Sequence, residues 1–184
     1  GYAMIWHILV CGLGWVLIGC HAWSLKWHFD MPQVPSGVRV ISTFVILNAL
    51  FLTFLSFSLE QPAGAQVLGF GLLMFSFVLF WITIRESSKA KLLAAFDEKL
   101  PHGLLKSGPY AYVRHPFYTS YLIQWAGWTI AVWNIWAIVP VISMTVIYWV
   151  AARDEENKFL RTDMADEYRE FVASTGRFFP KLFR

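Results

Sequence analysis

Charge is scarce in this chain, and cysteine is scarcer. Of its 184 residues only 15% are Asp, Glu, Lys or Arg, where an ordinary soluble domain carries about 25%. The two cysteines, Cys11 and Cys20, sit in one apolar run. They are too few and too deep for a disulfide framework or a metal site, which leaves packing as their role. No nucleophilic Cys pattern, metal-ligand cluster or Ser-His-Asp arrangement is visible. Gly12-x-Gly14 follows no strand and lies in apolar sequence, so it is not a nucleotide loop. Together with Gly19 it suits the close approach of helices in lipid. Internal repeats and low-complexity tracts are absent, and no nucleic-acid partner is expected.

Apolar and aromatic residues fill the space that charge leaves. The chain is 57% hydrophobic, with a mean hydropathy of +0.50, sixteen Phe and ten Trp. This composition predicts an all-α integral membrane protein, folded as a single membrane domain over 1–184. Five apolar runs, at about 2–25, 38–59, 66–84, 117–131 and 133–152, predict five transmembrane helices. The first run lacks a basic leader and is longer than a signal core, so it is kept as a helix. The fourth is short. Only Trp133-Asn134 separates it from the fifth, which predicts a tight helical hairpin, with Pro140 kinking the last helix.

Positive charge is missing from every second connection. All 15 Lys and Arg follow the first, third or fifth run: Lys26 and Arg39, then Arg85 through Arg114, then Arg153 through Arg184. The positive-inside rule then puts the amino terminus outside, and the carboxyl terminus and its helical segment in the cytosol. The membrane would be a bacterial inner membrane or endoplasmic reticulum. Residues 87–100 have the pattern of a cytosolic amphipathic helix, with Leu92, Leu93, Phe96 and Leu100 toward one face. It would serve as a surface helix on anionic lipid, as a lid, or as both. Residues 31–37 read as a turn-rich connection. Asn48 and Gln124, polar in the apolar runs, would bond between helices or touch a substrate. His7 and His21, near the two ends of the first run, read as interface histidines.

One stretch carries chemistry. Gly108-Pro109-Tyr110-Ala111-Tyr112-Val113-Arg114-His115-Pro116-Phe117-Tyr118 leads from a basic loop into the fourth run. Pro116 blocks helix at His115 and starts it just afterwards. The new helix presents its positive end beside Arg114 and His115, a natural pocket for a carboxylate or phosphate. An antiparallel fifth helix brings Glu155-Glu156 back to the same place. Adjacent helical residues point about 100° apart, so one glutamate can face a ligand while the other pairs with a cation. Carboxylates at a helix carboxyl end oppose the dipole, and an ammonium, sulfonium or ribose diol would compensate. The alternative is an Arg114–Glu salt bridge on an ordinary surface loop.

Gly-Pro-Tyr, Arg-His-Pro-x-Tyr, an apolar hairpin and Glu-Glu together resemble the isoprenylcysteine carboxyl methyltransferase and phospholipid methyltransferase superfamily. Phe159-Leu160, Glu167-Tyr168, Phe171 and Phe179-Pro180 continue the resemblance, which covers about 104–182. Ser120 stands where many members have Gly, and Phe171 where Tyr is common. The resemblance implies S-adenosylmethionine as methyl donor, at a site built from 104–121 and 150–182. By motif match, the implied cofactor-binding residues are Tyr110, Tyr112, Arg114, His115, Pro116, Tyr118, Glu155 and Glu156. Arg114 and His115 are also the catalytic candidates, with Arg153 for an anionic acceptor or a lipid headgroup. The acceptor would be lipophilic and enter from the bilayer. Carboxyl O-methylation of an isoprenylcysteine is the leading expectation. N-methylation of a phospholipid amine and an NADPH-dependent membrane reductase are the alternatives. A carboxylate acceptor is already a nucleophile at neutral pH, whereas an amine needs His115 or a glutamate as base.

Overall fold

The computed structural model describes residues 1–29, 35–96 and 104–183, with the backbone alone over 91–96. Among these residues the chain is helical, and no strand forms. Helix α1 (Tyr2–Trp23) runs into a π-helical turn (Ser24–His28), and α2 (Ser36–Ser58) and α3 (Ala63–Phe96) follow. A 3-10 turn (Gly108–Ala111) precedes α4 (Pro116–Val132), and another (Ile135–Ala137) precedes α5 (Ile138–Phe159), with α6 (Ala165–Ser174) last.

Among the described residues four helices are long and apolar enough to cross a membrane: Tyr2–His28, Ser36–Ser58, Ala63–Ala90 and Ile135–Phe159. The expected fourth span, 117–131, is the exception. Helix α4 has 17 residues, about 25 Å at 1.5 Å each, short of a hydrocarbon core of about 30 Å. It is also an interior helix, with Leu122, Gln124, Trp125 and Trp128 all buried.

Two further expectations change. Helix α3 does not stop at Ile84 to make way for a separate helix over 87–100; it continues unbroken to Phe96. Ser87 and Ser88 turn their hydroxyls back onto carbonyls of Thr83 and Ile84, so neither offers the backbone an exit. The end of that expected helix, 97–100, lies outside the described residues, as do the side chains of Leu92, Leu93 and Phe96 and residues 31–34 of the turn-rich connection. Pro140 does not kink α5. It occupies the first turn, where its missing N–H has no intrahelical acceptor to lose. The hairpin itself forms as expected. Trp133 takes a positive φ of 49°, and the Asn134 side chain accepts from Trp136 N–H to start the next turn.

The chain divides into two compact units. One comprises Gly1–Phe77 and Tyr121–Ile147. Its core holds Leu17, Leu52, Leu73, Trp125, Trp128 and Met144. Backbones approach closely where side chains vanish. A Cβ on Gly14 would meet the Trp128 ring at 2.6 Å, and one on Gly69 would collide with the Gly127 carbonyl. The polar residues of the apolar runs bond between helices: buried Gln124 through Nε2 to the Gly14 carbonyl at 3.2 Å and half-buried Asn48 through Nδ2 to Ser143 Oγ at 3.1 Å. His7 and His21 each pack against another helix. His7 lies 3.4 Å from Ser56 Oγ, and the His21 ring packs on Tyr121 at 4.2 Å. Both cysteines are free thiols.

The other unit comprises Val78–Ser120 and Tyr148–Arg184. Phe80, Val113, Tyr148, Ala152, Tyr168, Phe171 and Phe178 form its core, with Phe159 stacked on Tyr168 at 4.9 Å. After α6 the chain returns along the segment that precedes α4. Gly176 N–H donates to the Tyr112 carbonyl at 3.1 Å, Arg114 N–H to Gly176 at 2.9 Å and His115 N–H to Arg177 at 3.1 Å. Thr119 Oγ1 donates to the Phe178 carbonyl at 2.6 Å. This pairing places the chain's last turn beside the start of α4.

The glycine packing predicts a contrast between two substitutions in α3. Gly69→Ala drives a methyl into the Gly127 carbonyl and should lower thermal stability in detergent by about 1–3 kcal/mol, the usual range for overpacking. Gly71 has open space around an added Cβ, and Gly71→Ala should leave the melting temperature unchanged or raise it. Melting of the two purified variants beside the parent checks this.

Candidate functional site

Pro116 is the first residue of α4 and is buried, with His115 in the capping position before it. The His115 carbonyl accepts from Thr119 N–H at 3.0 Å. Arg114 and His115 therefore project from the positive end of a helix whose start is fixed by the ring of Pro116. At the far end of α5, Trp149, Ala152 and Glu156 are spaced to share one face, and Glu155 points about 100° away. Ala152 is buried and small, which lets the α4 start come close to Glu156.

Glu156 is the hub. Its Oε1 accepts from Arg114 Nε at 3.0 Å, from His115 Nε2 at 3.0 Å and from Arg177 Nε at 3.3 Å. Its Oε2 accepts from Arg177 Nη2 at 3.0 Å. An ionised carboxylate offers about four lone-pair positions, and four N–H donors converge on Glu156, three of them on Oε1. Side-chain exposure is 8% for Glu156, 7% for Arg114 and 10% for His115, but 21% for Arg177 and 49% for Glu155. Arg114 also donates through Nη1 to the Thr175 carbonyl at 2.5 Å.

Glu155 differs in every respect. Half-exposed, it accepts from Tyr118 Oη at 2.6 Å and lies 3.4 Å from His115 Nδ1. Among the described residues, two of its roughly four acceptor positions are used. His115 thus stands between the two glutamates, one on each ring nitrogen. Tyr118 stacks on Tyr148 at 5.3 Å.

The electrostatics follow from this placement. Burial pulls the His115 imidazole down, but hydrogen bonds to Glu155 and Glu156, with the charges of both, outweigh it, and the net direction is upward. Burial, with the Glu155 charge added, pushes the Tyr110 phenol up. Burial, the Glu156 charge and the other nearby charges together leave Tyr168 at about 12. Both phenols stay neutral hydrogen-bonding groups.

The structure brings together Arg114, His115, Tyr118, Glu155 and Glu156, with Tyr110 close enough to feel Glu155. The Tyr112 side chain is exposed, and its contribution here is the carbonyl that holds Gly176. Arg153 is exposed, and among the described residues it joins no ion pair of this network. Arg177 was missed by sequence reasoning. Its signal was slight: one arginine between Thr175-Gly176 and Phe178-Phe179-Pro180.

Two expectations follow. Glu156→Gln leaves Arg114 buried without its counter-charge and should cost about 3–5 kcal/mol of stability, whereas Glu155→Gln at its half-exposed position should cost about 1 kcal/mol or less. A base whose pKa is higher folded than unfolded stabilises the fold fully below the ordinary value of about 6.5, and loses that contribution as pH rises through the raised value. Thermal melting from about pH 6 to about pH 9 should therefore show a decline that His115→Gln abolishes.

Comparison with known proteins places this geometry. No curated protein and no solved structure matches the chain. The phospholipid methyltransferase family matches residues 65–167, a stretch that runs from α3 into α6 and includes Arg114, His115, Tyr118, Glu155 and Glu156. With more than half of its length so matched, the chain belongs to the phospholipid methyltransferase family and is a methyltransferase held in the membrane.

Proposed function

We propose that the protein transfers a methyl group from S-adenosylmethionine to the amine of a phospholipid. One observation carries this reading. Arg114, His115 and Arg177 all bond to the buried Glu156, while the carboxylate left half-exposed, Glu155, has acceptor capacity to spare. Charge of that sign suits an amine. It repels the carboxylate of an isoprenylcysteine, and the family's own description points the same way.

The residues fit the donor by the chemistry they offer. Of the two acceptor positions left on Glu155, one suits the donor's amino group or ribose diol and the other the acceptor's N–H, and the α4 start suits a carboxylate. The tyrosines Tyr110 and Tyr118 offer apolar faces for a purine. Glu156, with four N–H donors converging on it, serves to hold Arg114, His115 and Arg177 in place. When bound, the donor supplies an electrophilic methyl group on a sulfonium. The chain's part is alignment and charge. Glu155 draws in the cationic headgroup and accepts its N–H, while Tyr118 and His115 hold the carboxylate in one orientation. A carboxylate is a weak base for an ammonium, so the proton passes by way of Glu155 to solvent instead of residing there. The Tyr118–Tyr148 stack limits water around the reacting nitrogen.

The topology we favour is five crossings, with α4 as a short, protein-packed one. Support comes from the basic residues, all of which then fall on the side of the site and the carboxyl terminus, the cytosolic side.

Calorimetry on the purified protein should give binding of S-adenosylhomocysteine and none of NADPH, with affinity falling about tenfold or more in Glu155→Gln, the scale of one hydrogen bond to a charged group. Labelled methyl should enter phosphatidylethanolamine in preference to a farnesylcysteine analogue. Label in the latter alone overturns the acceptor, and NADPH binding in place of S-adenosylhomocysteine overturns the donor.

A further inference from the structure

The cluster around Glu156 holds more positive charge than it needs. Arg114 and Arg177 keep their charge at any relevant pH, and both bind the same single carboxylate. His115 in its cationic form is matched by Glu155. With His115 cationic, one positive charge remains over. It is not shared evenly: the Arg114 side chain is 7% exposed and also tied to the Thr175 carbonyl, whereas that of Arg177 is 21% exposed. Arg177 spends Nε and one Nη2 hydrogen on Glu156. Its planar fork carries five N–H donors, so three remain.

The surroundings of Arg177 identify the anion. Its guanidinium lies 4.1 Å from the centre of the Trp149 ring. Trp149 and its neighbour Val150 are exposed on α5, a helix apolar enough to cross a membrane, and Trp149 packs edge-on against Phe178 at 6.1 Å. Exposed apolar residues on such a helix face lipid, and Trp favours the headgroup level. Arg177 therefore stands where a lipid-facing surface meets the polar cluster, with a stacked and pre-oriented fork. That is the geometry by which arginine recognises phosphate.

We propose that Arg177 binds the phosphodiester of the acceptor lipid, with Trp149 as the floor of that subsite. The assignment rests on the phospholipid-amine reading above and adds the feature that separates a phospholipid from any other lipophilic amine. Glu155 meets the nitrogen end of the headgroup and Arg177 the phosphate end.

The test is a ratio. In neutral alkyl-maltoside micelles, kcat/KM is measured for phosphatidylethanolamine and for a long-chain primary amine without phosphate. The parent should favour the phospholipid. In Arg177→Met this preference should fall about ten- to hundredfold, the scale of lost hydrogen bonds to a charged group, with S-adenosylhomocysteine affinity unchanged. Proportional loss with both acceptors leaves the ratio intact and would reduce Arg177 to a structural role, overturning the proposal. A loss of S-adenosylhomocysteine affinity assigns the surplus charge to the donor's carboxylate and overturns it too. Should the Met variant not fold, Arg177→Lys carries the same comparison. It keeps the charge and loses the fork, so the ratio should drop severalfold, and an unchanged ratio overturns the assignment. A parent that methylates neither amine ends the acceptor reading itself, before any variant is made.

Discussion

A carboxylate buried at the end of a helix is the constraint on which this site depends. Glu156 sits in the last turns of α5, where the helix dipole already places negative charge. Removing it from water is costly unless cations and hydrogen bonds replace the solvent. Arg114 and His115 arrive from before α4 and Arg177 from after α6, and each bonds to it. Segments far apart in sequence are thereby joined at one atom group. The backbone pairing of Gly176 and Arg177 with Tyr112, Arg114 and His115 makes the same join from outside the side chains.

Two adjacent glutamates serve opposite ends because a helix turns about 100° per residue. Glu156 faces inward and takes four N–H donors, and Glu155 faces outward with capacity left. His115 touches both, through Nε2 and Nδ1 respectively. The imidazole therefore reports the structural carboxylate to the exposed one: whatever fixes its ring on Glu156 also fixes the orientation of Glu155, with Tyr118 as a second restraint. Such a carboxylate is placed by the scaffold before any ligand arrives, which is the condition for alignment to count.

Local rules were enough for much of this. The ring of Pro116 announces where α4 begins, the tight Trp133-Asn134 turn forces α5 back, and the two facts together bring Arg114 and His115 to Glu155 and Glu156. Polar residues in apolar helices seek partners, and Asn48 and Gln124 found them. What stayed hidden had no local signal. Arg177 reaches the site through long-range backbone pairing, which leaves no periodicity in sequence. Hydropathy cannot distinguish an apolar helix facing lipid from one facing protein, so α4, packed through Trp125 and Trp128, read as a plain span. Helix α3 outran its apolar stretch, with the hydroxyls of Ser87 and Ser88 turned back onto carbonyls of the preceding turn.

The gradient of exposure across the cluster has its own logic. An uncompensated charge fully buried would cost several kcal/mol, and the surplus here falls on the arginine with the most access to solvent. Water compensates it while no anion is present. Arg114 has no such access and none is needed, because Glu156 and the Thr175 carbonyl satisfy it. The inner half of the network thus holds the fold, and the outer half, Arg177 on one side and Glu155 on the other, presents one positive and one negative group to the surface. A zwitterionic headgroup has the complementary pair. On the phospholipid-amine reading proposed above, the buried salt bridge would hold the scaffold while the outer pair, with Arg177 still anchored on Glu156, meets the headgroup.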